Sequence, residues 1–173
     1  NHRCRSILEV PGSLDVAVEF HSLSKTYNMT GWRVGWMVGN SEVVEALGRI
    51  KTNVDSGIFQ AVQHAAITAL DIDQAWIDTR NAQLQARRDR VITALTSLGM
   101  NPEVPKASLY LWSPTPGNTL SVEFATRLIE ETGVIVTPGV GFGSAGEGYF
   151  RISLTTPDDR LDEALDRIAK LNF

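Results

Sequence analysis

The segment "SLSKTYNMTGWRVGW", Ser22 to Trp36, places Ser22, Ser24, Lys25 and Arg33 within a dozen residues. An amine at the end of an apolar strand is costly unless its charge is paired or used, because desolvation penalises the ammonium. Lysine is the side chain that condenses with carbonyls, and a lysine at such a position is an anchor for pyridoxal phosphate. The phosphate of that cofactor needs cations and short donors. Ser22 and Ser24 supply hydroxyls, Arg33 supplies a planar fork on the next strand, and Gly31 is expected to turn the loop between them. The alternative is a strand–loop–strand hairpin whose lysine and arginine merely reach solvent.

A second set lies in "TPGVGFGSAGEGYFRISLTTP". Alternation puts Tyr149, Arg151 and Ser153 on one strand face and Phe150, Ile152 and Leu154 on the other. A guanidinium on a rigid strand suits bidentate capture of a carboxylate, against the alternative of a surface ion pair. Gly139, Gly141, Gly143, Gly146 and Gly148 are expected to form a mobile loop. Their spacing matches neither a dinucleotide fingerprint nor a P-loop.

The elements that must position these groups follow from periodicity and punctuation. Two buried strands, 16–22 and 33–39, flank the lysine loop. After Asn40-Ser41 as a cap, Val44, Leu47, Ile50 and Val54 have helical spacing that fades at Asp55-Ser56-Gly57, and an Ala-rich helix covers 58–70. A long polar helix over 73–98 carries a stripe of Leu84, Val91, Leu95 and Leu98 and stops at Gly99. Strands are expected over 108–112, 134–137 and 149–155, and a helix over 120–132 closed by Gly133. A final helix has Thr156 as N-cap, Pro157 at N1, and Leu161, Leu165, Ile168 and Leu171 as its buried face. The fold class is α/β, in three parts: residues 1–72, a long helix over 73–98 of the kind that bridges two domains, and a small α+β domain over 99–173.

Bulk properties narrow the function. The chain has 173 residues, is 43% hydrophobic and carries a net charge of −4 in mixed signs, so it can bury a core and presents no basic stripe for nucleic acid or a membrane surface. No apolar run approaches the roughly 20 residues that span a bilayer. One cysteine, Cys4, and three scattered histidines, His2, His21 and His64, give no internal disulfide and no metal cluster, which points to a reducing, cytoplasmic setting. The start at Asn1 in place of Met suggests a fragment.

The Ser22–Arg33 segment resembles the lysine motif of the class I/II aminotransferases, the fold-type I pyridoxal-phosphate enzymes, whose pattern is S-x-[SA]-K, a short spacer, then G-x-R. The resemblance implies that Lys25 carries the cofactor and moves the proton, that Ser22 and Arg33 bind its phosphate, and that Ser24 and Tyr27 lie within the motif. It also implies that Arg151 clamps the substrate α-carboxylate and that residues 1–72 are the end of a large domain. The match covers the chain from the strand before Lys25 to the last helix, but only the second half of the family's length. The first half normally supplies an aspartate at the pyridine nitrogen, an aromatic over the ring, an asparagine at the ring hydroxyl and a backbone phosphate cradle, none of which is found here.

"NVDSGIFQAVQ" and "PKASLYLW" resemble the bacterial LL-diaminopimelate aminotransferase branch, which serves lysine biosynthesis, and its aspartate and alanine aminotransferase relatives. Substrates would be an amino acid and a 2-oxo acid. Lys106, Tyr110 and Asn53 are candidates for a distal acidic group on the substrate, against plainer roles as loop charge, core residue and helix-end cap. The resemblance further implies a homodimer. Competing functions are the aminotransferase-like sensor domain of a transcription regulator and a non-catalytic remnant.

Overall fold

The computed structural model describes residues 4–171, so His2 lies outside the described residues. The chain divides into two compact units, Asn1–Asp78 and Thr79–Phe173, with the division inside the long helix.

In the first unit, α1 (Ser13–Val16) leads into β1 (Val18–Ser22), a one-turn helix α2 (Leu23–Thr26), a 3₁₀ turn over Thr30–Trp32, and β2 (Gly35–Gly39). β1 and β2 pair antiparallel, with Val18 opposite Gly39 and Ser22 opposite Gly35. Both strands begin two residues later than their apolar runs, because Val16 closes α1 and Arg33 precedes β2. Close approach explains the glycine at 35: a Cβ there would lie 2.5 Å from the His21 carbonyl oxygen.

α3 (Ser41–Val54) starts where the sequence predicts, with the Asn40 side chain accepting from the Val43 N–H at 3.0 Å. α4 (Gln60–Leu70) follows. The strands are not the buried pair expected from their composition. Phe20 is 72% exposed, and the α3 stripe is open too, with Ile50 at 63% and Val54 at 75%. Two strands make no second layer, and among the described residues of this unit only Ser13, Leu23 and Met29 are buried.

The second unit is different. α5 (Gln74–Ser97) ends at Gly99, whose φ of +82° only glycine adopts freely. β3 (Tyr110–Pro114), β4 (Thr137–Pro138) and β5 (Tyr149–Ser153) form an antiparallel sheet in the order β3-β5-β4. Val91 and Leu95 of α5, Leu111 of β3, Phe124 and Leu128 of α6 (Ser121–Thr132), Phe150 of β5 with Leu154 beyond it, and Leu161 and Ile168 of α7 (Asp158–Ile168) share one core, which Leu84, Leu98, Leu165 and Leu171 flank. Inward Phe150 and Leu154 confirm the alternation read from the sequence.

α7 begins one residue later than expected. Pro157 is its cap, with ψ of 152° outside the helical region and no side-chain capping bond, and Thr156 precedes it. The first turn is instead tied to α5. Arg87, 8% exposed, donates through Nε and Nη2 to the Asp158 carboxylate at 3.2 and 2.8 Å, and through Nη1 to the Leu154 carbonyl at 3.1 Å. Arg90 bridges Asp158 and Asp162.

Candidate functional site

Lys25 sits on α2, immediately after β1, and not on the strand itself. Ser22 is the N-cap of that turn: its Oγ accepts from the Ser24 N–H at 3.1 Å. Leu23 points inward and is fully buried, which turns Lys25 outward. Lys25 and Arg33 are therefore both exposed within this unit, so their cost of burial is not the reason for their placement.

The loop closes through non-glycine residues. Asn28 and Arg33 have φ of +55° and +53°, whereas Gly31 lies in the 3₁₀ turn outside the left-handed region, with nothing within 4 Å of a Cβ placed on it. The expectation that Gly31 makes the turn is corrected: the left-handed residues on either side make it. Arg33 also lies off the strand, as the cap of the 3₁₀ turn. Its Nη1 donates to the Thr30 carbonyl at 3.0 Å, and the Thr30 hydroxyl donates to the Ser24 carbonyl at 3.0 Å. Among the described residues Arg33 forms no ion pair, which leaves its other guanidinium donors for an anion. Beside the loop, His21 stacks on Trp36 at 5.2 Å and pairs with Glu19 at 2.7 Å. The Ser6 hydroxyl and the Ile7 N–H hold the Glu19 carboxyl below the usual carboxylate range.

In the second unit Arg151 occupies the central strand, opposite Trp112 on one side and Thr137 on the other. Its guanidinium lies 4.2 Å from the Tyr110 ring centroid and 4.6 Å from that of Phe142. Trp112 meets Phe142 edge-on at 5.6 Å and stacks on Tyr149 at 5.7 Å. Cation–π attraction to two rings fixes the guanidinium without consuming its in-plane donors, and among the described residues no carboxylate pairs with it.

The glycine-rich segment that delivers Phe142 is tightly packed. Cβ atoms on Gly139 and Gly146 would come within 2.0 and 2.1 Å of each other's carbonyl oxygens. Glu147 accepts from the Ser121 N–H at 2.6 Å and the Gly148 N–H at 2.9 Å, which caps α6 and holds its carboxyl below the usual range. Close backbone contact accounts for Gly139 and Gly146, and positive φ for Gly143 and Gly148, whereas a Cβ on Gly141 would meet nothing within 4 Å.

The remaining candidates are scattered. Tyr110 is a platform for Arg151, Asn53 lies in the last turn of α3 and donates back to the Arg49 carbonyl at 2.7 Å, and Lys106 is exposed on the loop before β3. Asp55 accepts from Lys51 and from the Gly57 N–H, which lowers its pKa. The sequence reading missed Thr30 and the aromatic set. Period-two spacing on β3 and β5 places Tyr110, Trp112, Tyr149 and Arg151 on outward positions and could have grouped them; Phe142 carried no such signal. Among the described residues none form a metal-ligating cluster, and no helix is long and apolar enough to cross a membrane.

Residues 5–168 match the family model "Aminotransferase class I and II". The chain is 59% identical over 172 residues to the LL-diaminopimelate aminotransferase of Nitratidesulfovibrio vulgaris strain DP4, covering 99% of this chain and 44% of that protein. It is 56% identical over 171 residues to the enzyme of the same name from Oleidesulfovibrio alaskensis, again covering 99% and 44%. Its fold overlays the probable N-succinyldiaminopimelate aminotransferase of Thermus thermophilus with a TM-score of 0.91 at 33% identity, covering 98% of this chain and 46% of that one. The chain thus spans less than half the length of these relatives. The lysine motif, the fold it lies in and these likenesses agree: the chain belongs to the class I and II aminotransferases.

Proposed function

We propose that this chain is the lysine-bearing part of a pyridoxal-phosphate aminotransferase that moves an amino group between an amino acid and a 2-oxo acid. The observation that carries the proposal is the closed loop joining Ser22, Lys25 and Arg33: one amine, one guanidinium and two serine hydroxyls within a dozen residues of one loop fit an aldehyde that bears a phosphate. When bound, the cofactor supplies an electron sink for the substrate carbon.

The chain's own residues do the rest. Lys25 is the covalent attachment point, and its amine, once displaced by substrate, carries the proton from the substrate α-carbon. Arg33 and the Ser22 hydroxyl hold the phosphate, and Ser24 shapes the turn through its N–H. Arg151 binds the α-carboxylate and orients the Cα–H bond. Lys106 and Asn53 have no part in this assignment, and Tyr110 acts through Arg151.

The relatives' names make LL-diaminopimelate the first substrate to test, ahead of aspartate and alanine. The working form is taken as a cytoplasmic homodimer serving lysine biosynthesis, as the family resemblance implies. Neither the sensor-domain nor the remnant alternative draws support from these relatives. Adding pyridoxal phosphate is expected to produce visible absorbance that Lys25→Ala abolishes and that LL-diaminopimelate bleaches. No absorbance at millimolar cofactor would overturn cofactor binding, and absorbance unaltered by amino acids would overturn transamination.

A further inference from the structure

Thr30 lies in the chain between the attachment lysine and the phosphate-binding arginine and bonds to the surroundings of both. Its hydroxyl donates to the Ser24 carbonyl, the peptide group that joins Ser24 to Lys25, at 3.0 Å. Its own carbonyl accepts from Arg33 Nη1, also at 3.0 Å.

The Ser24 carbonyl depends on that hydroxyl. α2 is a single turn, and the N–H groups that would continue it are taken elsewhere: Tyr27 and Met29 donate to the Leu23 carbonyl at 3.3 and 3.2 Å, and Asn28 to the Lys25 carbonyl at 3.4 Å. A helix end leaves carbonyls without backbone partners, and here a side chain from the far side of the loop supplies the donor. Arg33, in turn, is a non-glycine residue at φ +53° and ψ +47°, a conformation that holds only when its surroundings fix it. The hydrogen bond to Thr30 is the polar contact its guanidinium makes among the described residues.

We infer that Thr30 is a positioning residue that fixes the separation of the Lys25 turn from the Arg33 guanidinium, and so sets the selectivity of the loop for a phosphate-bearing aldehyde over the same aldehyde without phosphate. The inference rests on the cofactor assignment above. It predicts a particular asymmetry. Without the Thr30 hydroxyl, Lys25 keeps its reactivity, but the arginine is no longer held at a fixed reach, so the loss falls on the phosphate.

The test compares pyridoxal phosphate with pyridoxal, reading the dissociation constant of each from the visible absorbance of the lysine-bound form. Thr30→Val, which keeps the side-chain shape but removes the donor, is expected to weaken pyridoxal phosphate about fivefold, the net worth of one hydrogen bond. Pyridoxal should change by less than about twofold, since it makes no contact with Arg33. Thr30→Ser restores the donor and should bind both close to wild type. Retained pyridoxal binding also shows that the variant is folded. Equal weakening of both compounds would assign Thr30 a merely structural role and overturn the inference, as would unchanged binding of pyridoxal phosphate. Absence of absorbance in the wild-type protein is a distinct result: it removes the cofactor assignment itself.

Discussion

Arg151 and Phe142 meet across a sheet and a loop, with the guanidinium carbon 4.6 Å from the ring centroid. The arginine comes from the middle strand, the ring from a turn held by glycine-to-glycine backbone contact.

If that ring steadies a carboxylate clamp, Phe142→Leu should raise the KM for an amino-acid substrate about threefold, within the range of a single partly exposed cation–π contact. Arg151→Lys should cost more, at least about tenfold, because an ammonium lacks the planar fork. Steady-state kinetics with an amino acid and with the amine lacking its carboxylate separate the two: only the former should respond.

Arg87→Ala should destabilise the second unit by about 2–3 kcal/mol, since it removes a buried side chain and the donor to the Leu154 carbonyl. Thermal melts followed by far-UV circular dichroism measure this. A loss below the noise of the melt would show that water replaces the guanidinium at no cost.

Acid should loosen the same contact. The Arg87 hydrogen bonds hold the Asp158 carboxyl well below its ordinary value. A depressed carboxyl contributes stability that is fully present above the unfolded pKa, about 4, and is lost as pH falls from there through the folded value. The melting temperature should therefore drop as pH is lowered from about 5, and Asp158→Asn should flatten that slope. Glu147, whose carboxyl is lowered by the Ser121 and Gly148 N–H groups, contributes in the same direction.

Gly31→Ala should be neutral or stabilising by up to about 1 kcal/mol, because the backbone at 31 is one alanine can adopt and its Cβ meets nothing within 4 Å. Gly35→Ala should disrupt the β1–β2 pair, its Cβ falling 2.5 Å from the His21 carbonyl oxygen. Amide exchange at Trp36 and Val38, whose N–H groups face β1, reports the difference. Protection lost in both variants, or in neither, would contradict the assigned turn.

Local chemistry was the legible part of the sequence. The Asn40 cap, the Gly99 and Gly133 stops and the alternation along β5 all appear as read, since each depends on a few adjacent residues. The lysine loop was recognised by spacing, yet its geometry was not. Left-handed Asn28 and Arg33 leave no compositional trace comparable to a glycine, and the Thr30 hydroxyl bond to Ser24 joins positions six apart with no periodicity. Strand burial at Phe20 failed for another reason: an apolar run reports a capacity to be covered, and no second layer covers it within its unit. Arg87 drew no assignment from the sequence, because its partner Asp158 lies 71 residues away.

β5 faces two ways, with Arg151 outward among the rings and Phe150 inward against Phe124 at 4.7 Å. As the proposed carboxylate clamp, Arg151 inherits the stiffness of the core behind it. The register of β5 cannot creep by one residue without swapping a charge for a phenyl ring in the interior. The rings around Arg151 can be exchanged singly while the strand stays anchored.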